Sequence, residues 1–304
     1  MPPPAATPAG PAGPAGPTGP TTIADVFAAL WNDYVATTPQ AERIHRLFAA
    51  RGERVQNDHI AFRTFSRLAG LAGAGDQAAL GLIAIAAPFE QLGYIARDRY
   101  RFADKKLVAR YWQHPEPGLP KIFISELCVS ELSGAAQAII ARLVAQVPPG
   151  FTTRADLPWA GRPWQCTRGE YEALLGESEY AAWLAAFGFR VNHFTVAVDA
   201  LTTFSGLPEL VAFLVAEGFT LNASGGVIKG SPAEHLEQCS TRADTVEVDL
   251  AGERLALPSC YYEFAKRYRL ASGELFHGFV PASADKIFES TDVHGTTGTT
   301  VTKA

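Results

Sequence analysis

A strand, a helix and three further strands come in the same order twice along this chain, and few architectures accommodate that. The first pass opens with "NDHIAFRTF" (57–65), runs through an apolar helical stretch ending "PFEQLGY", and closes with "YIARDRYRF", "KLVARYWQ" and "KIFISELCV". The second opens with "FRVNHFTVAVD", runs through "LPELVAFLVAEGF", and closes with "GGVIKGS", "LEQCSTRADTVEVDL" and "LPSCYYEFAKRY". Alternation at period 2 marks the strands and spacing near 3.6 marks the helices. A unit this small cannot bury its own sheet face, so two such units must share one. The sequence therefore predicts an α+β fold, with two β-α-β-β-β units forming a curved sheet around a central cavity and helices on its flanks. Unit one spans residues 55–130, a mostly helical connector with a Pro/Trp-rich loop 131–187, unit two 188–270, and a closing segment 271–291, together one domain over 23–291.

The vicinal-oxygen-chelate fold is built this way, and in it the first and last strands of each unit send side chains into the cavity. Fold alone fixes no chemistry. The first strands carry His59 and His193, and the last strand of unit two carries Glu263 in "YYEFAKRY". A glutamate within an apolar strand is costly unless it is paired, protonated or bound to a cation. Two histidines and one carboxylate from three strands form a set that suits Fe(II) and leaves coordination positions open, although zinc, manganese, nickel and cobalt accept the same donors. A lone strand histidine is commonly a satisfied core residue; two at matching places in two units are harder to explain so. Glu126 in "IFISELCV" holds the mirrored strand of unit one and is a candidate fourth ligand or a partner to the ligands. Arg63 lies four residues beyond His59 on the same strand face, about 13 Å along the backbone. It is placed to grip the far end of a short dicarboxylate chelated at a metal. A surface arginine in an ion pair is the plainer reading of it.

Bulk properties narrow the classes. The 304 residues carry a formal net charge of −5 with no basic stripe, which argues against a nucleic-acid partner. The longest nearly uninterrupted apolar run, "AALGLIAIAAPF", has 12 residues, too few to span a bilayer. No basic stretch followed by an apolar one opens the chain, and Cys128, Cys166, Cys239 and Cys260 are scattered. Both point to a reduced, cytoplasmic protein rather than a disulfide frame or zinc site. Residues 1–22 are rich in Pro, Gly and Ala; Gly10, Gly13, Gly16 and Gly19 recur every third residue, too briefly for a triple helix. That segment and the Thr/Gly-rich 292–304 are expected to be disordered tails. Order is expected from Thr22, an N-cap ahead of helical spacing from Ile23 to Tyr34, followed by a second helix over 39–51.

"DHIAFRTF", "VNHFTVAV", "GGVIKGSP", "LEQCSTRADTVEVDL", "YYEFAKRY" and "GFVPASADKIFEST", in this order, resemble the DUF1338 family, whose characterised members are 2-oxoadipate dioxygenase/decarboxylases. The resemblance covers residues 23–291. It implies Fe(II) held by His59, His193 and Glu263, with Arg63 binding substrate and acting in catalysis. It also implies that Ala282 and Ser283 of "PASADKIF" contact substrate; by residue type Ser283 is an N-cap ahead of "ADKIF". The implied reaction consumes a 2-oxo dicarboxylate and O₂. 2-Oxoadipate loses CO₂ and is hydroxylated within the same molecule to 2-hydroxyglutarate, a step of lysine catabolism. The small Ala282 and a chain shorter than the larger bacterial members bear on which 2-oxo acid is preferred. Two other readings stay open at this point: a glyoxalase-type isomerase or lyase with a non-redox metal, and a metal-free binding module for a small ligand.

Overall fold

The computed structural model describes residues 22–68, 80–288 and 291; both expected tails lie outside them, apart from Thr22. The chain opens with helices α1 (Ile23–Thr37) and α2 (Pro39–Ala50). Thr22 caps α1 in a capping box with Asp25, as its position before the helical spacing predicts. Unit one follows as β1 (Asn57–Phe65), α3 (Leu82–Gln91), β2 (Ile95–Phe102), β3 (Leu107–Gln113) and β4 (Lys121–Leu127). The connector holds α4 (Gly134–Val144), α5 (Arg168–Leu175) and α6 (Glu179–Phe187). Unit two is β5 (Val191–Ala197), α7 (Leu207–Ala216), β6 (Lys229–Ser231), β7 (Leu236–Ser240), β8 (Thr245–Leu250), β9 (Glu253–Pro258) and β10 (Tyr261–Arg267), and α8 (Pro281–Phe288) closes the chain.

Eight strands form one sheet in the order β2-β3-β4-β1-β5-β10-β7-β6. Read outward from the central β1–β5 seam, the two halves mirror each other. Each first strand pairs in parallel with its unit's last strand, β1 with β4 and β5 with β10, while β1 and β5 meet antiparallel. The expected two-unit curved sheet is present, with one elaboration. "LEQCSTRADTVEVDL" and "LPSCYYEFAKRY" each break in two, because β8 and β9 leave the main sheet as a separate hairpin. Its turn places Ala251 (φ 52°) and Gly252 (φ 96°) in the left-handed region, as a tight two-residue hairpin requires.

The central strands are buried on both faces, which explains their near-continuous apolar lettering. On the convex face, Trp31 and Tyr34 of α1 pack on Phe194, and Phe48 of α2 packs on Phe264. Phe89 of α3 packs on Phe62. The opposite, concave face carries the polar residues singled out in the sequence. It is covered from one end by α6 and closed over by the segment 276–288.

Candidate metal centre

Strand register assembles the centre. On neighbouring strands, His59, Thr195 and Glu263 form one row across β1, β5 and β10, and Ala61, His193 and Tyr261 form the next. Thr195 is thus the floor between the row's two donors, with His193 two residues along on the same face. His59 Nε2 lies 3.4 Å from His193 Nε2 and 3.8 Å from Glu263 Oε1, and His193 Nε2 lies 3.2 Å from Glu263 Oε2. One ligand atom from each of the three residues falls within 4.8 Å of the others, and all three side chains are buried. The sequence-predicted triad converges.

Two β-bulges aim the histidines. Asp58 is unpaired between Asn57 and His59 in the β1–β5 ladder, and Asn192 is skipped between Val191 and His193 on the other strand. A bulge turns the extra residue toward its neighbour's face. Each bulged side chain then accepts from the adjacent ring: His59 Nδ1 to Asp58 Oδ1 at 2.8 Å, and His193 Nδ1 to Asn192 Oδ1 at 3.0 Å. With both Nδ1 atoms donating, both Nε2 lone pairs face the centre, the arrangement a metal-bound imidazole needs. Asp58 is itself gripped by Arg267, Nε at 2.5 Å and Nη2 at 2.9 Å, with Lys121 Nζ at 3.8 Å. Arg267 also donates to the carbonyls of Phe276 and Gly278, ahead of α8. The sequence reading missed Asp58, Asn192 and Arg267; the polar letter immediately before each histidine was the available signal.

Electrostatics favour a cation here. Burial pushes the Glu263 carboxyl up to about 8, against the hydrogen bond from Gln238 Nε2 at 2.6 Å. Burial also lowers His193 well below its ordinary value, with the charges of His59 and Arg63 acting in the same direction. It lowers His59 as well, against the Asp58 hydrogen bond. Burial alone would raise Asp58, but Arg267 and Lys121 hold it well below the carboxylate range. Glu263 Oε2 has no hydrogen-bond partner among the described residues. Two neutral imidazoles and one buried carboxyl with an unpartnered oxygen fit a divalent first-row metal.

Glu126 is not part of this set. It faces the convex side, where Oε2 accepts from Leu82 N at the start of α3 at 2.9 Å. His59 pairs with Lys121 as His193 pairs with Tyr261, so the counterpart of Glu263 is Phe123. Phe123 lines the centre's residual cavity of about 10 Å³ together with Gln238, Phe279 and Ile287. Phe279 packs edge-on to His59 with ring centroids 5.0 Å apart, and 4.7 Å from Phe123.

Arg63 is buried rather than on the surface, and it pairs with no carboxylate among the described residues. Its guanidinium lies over the rings of Tyr180 (4.9 Å) and Trp183 (5.1 Å) of α6. Nη2 reaches Thr291 Oγ1 at 3.3 Å, and Nε has no hydrogen-bond partner among the described residues. On its outer side Arg63 borders a second cavity of about 200 Å³, with Lys106, Tyr180 and Thr291 in its wall. Ser283 is buried but is not the helix N-cap: α8 begins at Pro281, a residue suited to a first helical position, so Ser283 is its third residue. Its Oγ abuts Gly230, 3.2 Å from where a Cβ would stand. Ala282 is exposed. Neither residue is among those lining the cavity beside the triad.

A family model for 2-oxoadipate dioxygenase/decarboxylase matches residues 158–276, which include His193 and Glu263. The chloroplastic 2-oxoadipate dioxygenase/decarboxylase of Arabidopsis thaliana is 35% identical over 264 residues, 77% of this chain and 67% of that protein. The chain belongs to the 2-oxoadipate dioxygenase/decarboxylase family. The rice hydroxyglutarate synthase, solved in complex with 2-oxoadipate, superposes with a TM-score of 0.82 at 31% identity, covering 93% of this chain and 99% of that one. A Shewanella frigidimarina protein provisionally designated a hydrolase superposes with a TM-score of 0.79 at 44% identity, covering 86% and 98%. Among the described residues no helix is long and apolar enough to cross a membrane.

Proposed function

We propose that this chain is an Fe(II)-dependent 2-oxoadipate dioxygenase/decarboxylase that converts 2-oxoadipate and O₂ into 2-hydroxyglutarate and CO₂. Kinship with proteins of that name supports the reaction. The observation that carries it in this chain is the three-donor centre with an aromatic side chain at the mirrored fourth position. Three protein ligands leave room for a bidentate 2-oxo acid and O₂; a fourth would favour the glyoxalase-type reading. In this proposal His59, His193 and Glu263 are the ligands, and the product enters lysine breakdown.

Bound there, Fe(II) would supply the open positions and the redox chemistry that O₂ activation needs. The chain's own residues set the stage for it. Asp58 and Asn192 hold the two imidazoles in one tautomer and one orientation. Phe123, Phe279 and Ile287 exclude water. Arg63, buried and without a carboxylate partner among the described residues, takes the substrate's distal carboxylate and fixes which C–H is presented. Ser283 and Ala282, as the family resemblance implies, complete the substrate's surroundings. Oxidative decarboxylation of the substrate supplies the two electrons that O₂ requires beyond those of the hydroxylated carbon, so no separate reductant is consumed. The four cysteines are free, in keeping with a cytosolic location.

The test is oxygen uptake by the Fe(II)-loaded protein with 2-oxoadipate. One CO₂ and one 2-hydroxyglutarate per O₂ is the expected result. Turnover without O₂, or O₂ uptake with no hydroxylated product, overturns it.

A further inference from the structure

The buried tyrosines differ in what their hydroxyls do. Those of Tyr34, Tyr94 and Tyr180 each donate to a backbone carbonyl, of Tyr261, Pro120 and Ser125 respectively. Tyr261 Oη is fully buried and has no hydrogen-bond partner among the described residues. An unpaired buried phenol carries the full penalty of its lost hydration, so its retention calls for a ligand. Tyr262 Oη also lacks a partner among the described residues, but that ring lies on the convex face against Trp31 and Phe264.

Tyr261 lies on the concave face. Its ring stacks on His193 with centroids 4.6 Å apart and planes 24° from parallel. Register places it between the two groups already assigned to substrate. The His59–Thr195–Glu263 row comes first, the Ala61–His193–Tyr261 row second, and Arg63 stands two residues beyond Ala61 on β1. Each step of two residues is about 6.6 Å along a strand. Any molecule reaching from the triad to Arg63 therefore passes the Tyr261 row. Arg63 Nε is another buried donor here without a partner among the described residues.

We propose that the Tyr261 hydroxyl donates to the distal carboxylate of the substrate alongside the Arg63 guanidinium, making Tyr261 a determinant of dicarboxylate specificity. The inference rests on the function proposed above. A carboxylate has two oxygens and about four lone-pair sites, enough for a guanidinium and a phenol together. A 2-oxo acid of the same chain length that ends in a methyl group offers the phenol nothing.

The test is Tyr261→Phe, which removes the hydroxyl and keeps the ring on His193. Anaerobic calorimetry on the Fe(II)-loaded full chain would measure binding of 2-oxoadipate and of 2-oxohexanoate, with kcat, KM and iron content measured in parallel. The expected result is about 10- to 100-fold weaker binding of 2-oxoadipate, seen in KM more than in kcat, with 2-oxohexanoate and iron content unchanged. Equal loss for both ligands, no loss for either, or loss of iron overturns the inference. Wild-type protein that binds 2-oxoadipate and turns it over, with Y261F indistinguishable from it, removes the contact and leaves the reaction. Wild-type protein that binds without turnover, with Y261F weaker, removes the reaction and leaves the contact. Wild-type protein that does not bind 2-oxoadipate removes both.

Discussion

Phe123 occupies in β4 the place that Glu263 occupies in β10. The pairs His59–Lys121 and His193–Tyr261 fix the equivalence, because each histidine's partner lies two residues before the position in question. Phe123→Glu would therefore put a fourth donor where the sheet's pseudo-symmetry demands one. The expected outcome is a centre that retains a divalent metal and loses at least tenfold in O₂-dependent turnover. Metal analysis beside oxygen uptake checks it, and undiminished turnover would show that Phe123 does not face the reacting positions.

Arg63→Leu should raise KM for 2-oxoadipate by about 10-fold or more while iron content stays at the wild-type level, since a charge-assisted bidentate contact is lost and no metal ligand is touched. Parallel iron and steady-state measurements decide the matter. Loss of iron would assign Arg63 a structural role, through its stacking on Tyr180 and Trp183.

Asp58→Asn should weaken metal binding by about 10- to 100-fold, the usual cost of losing a carboxylate behind a ligating imidazole. It also leaves Arg267 as an uncompensated buried charge, which costs about 3–5 kcal/mol of stability. Competition with a chelator reads the first effect and denaturant unfolding the second. An unchanged affinity would mean that Asp58 serves only the ion pair.

The metal-free protein should be most stable near neutrality and lose stability on both sides. His59 and His193 are lowered from 6.5, so the unfolded chain takes up protons that the native state refuses, and stability falls as pH drops below 6.5. Glu263 is raised from 4.5 to about 8, so the native state keeps a proton that the unfolded chain has shed. Its contribution is complete below 4.5 and is gone once pH passes 8, with a slope of about 1.4 kcal/mol per pH unit at most. A ligating carboxylate is ionised, so metal loading should release a proton and abolish the alkaline decline. Unfolding of metal-free and metal-loaded protein between pH 5 and 9 checks both limbs.

What could be read from the sequence, and what could not, divides by range. Strand parity is local, so the shared face of His59 and Arg63, and of Tyr261 and Glu263, follows from the letters. Equivalence of β4 and β10 depends on which residue of β1 meets Lys121, and nothing within "KIFISEL" states it. The expectation of Glu126 as a fourth ligand or a partner to the ligands therefore falls on the wrong residue, because the mirrored place is Phe123's. Bulges are exceptions to alternation, so period 2 does not reveal the inward turn of Asp58 and Asn192. The plainer alternative for Arg63, a surface ion pair, fails because its cover, Tyr180 and Trp183, comes from a connector more than a hundred residues away. Ser283 looked like a cap until Pro281 proved able to start the helix two residues earlier.

His59 and His193 sit on the two strands of the seam, β1 and β5, and Glu263 sits on β10, which pairs with β5. Neither half of the sheet holds a complete set. During refolding, then, a three-donor grip on an ion forms only once β1 and β5 have paired. An ion supplied early should leave the appearance of helices unchanged and slow only the reverse step, the parting of the two halves.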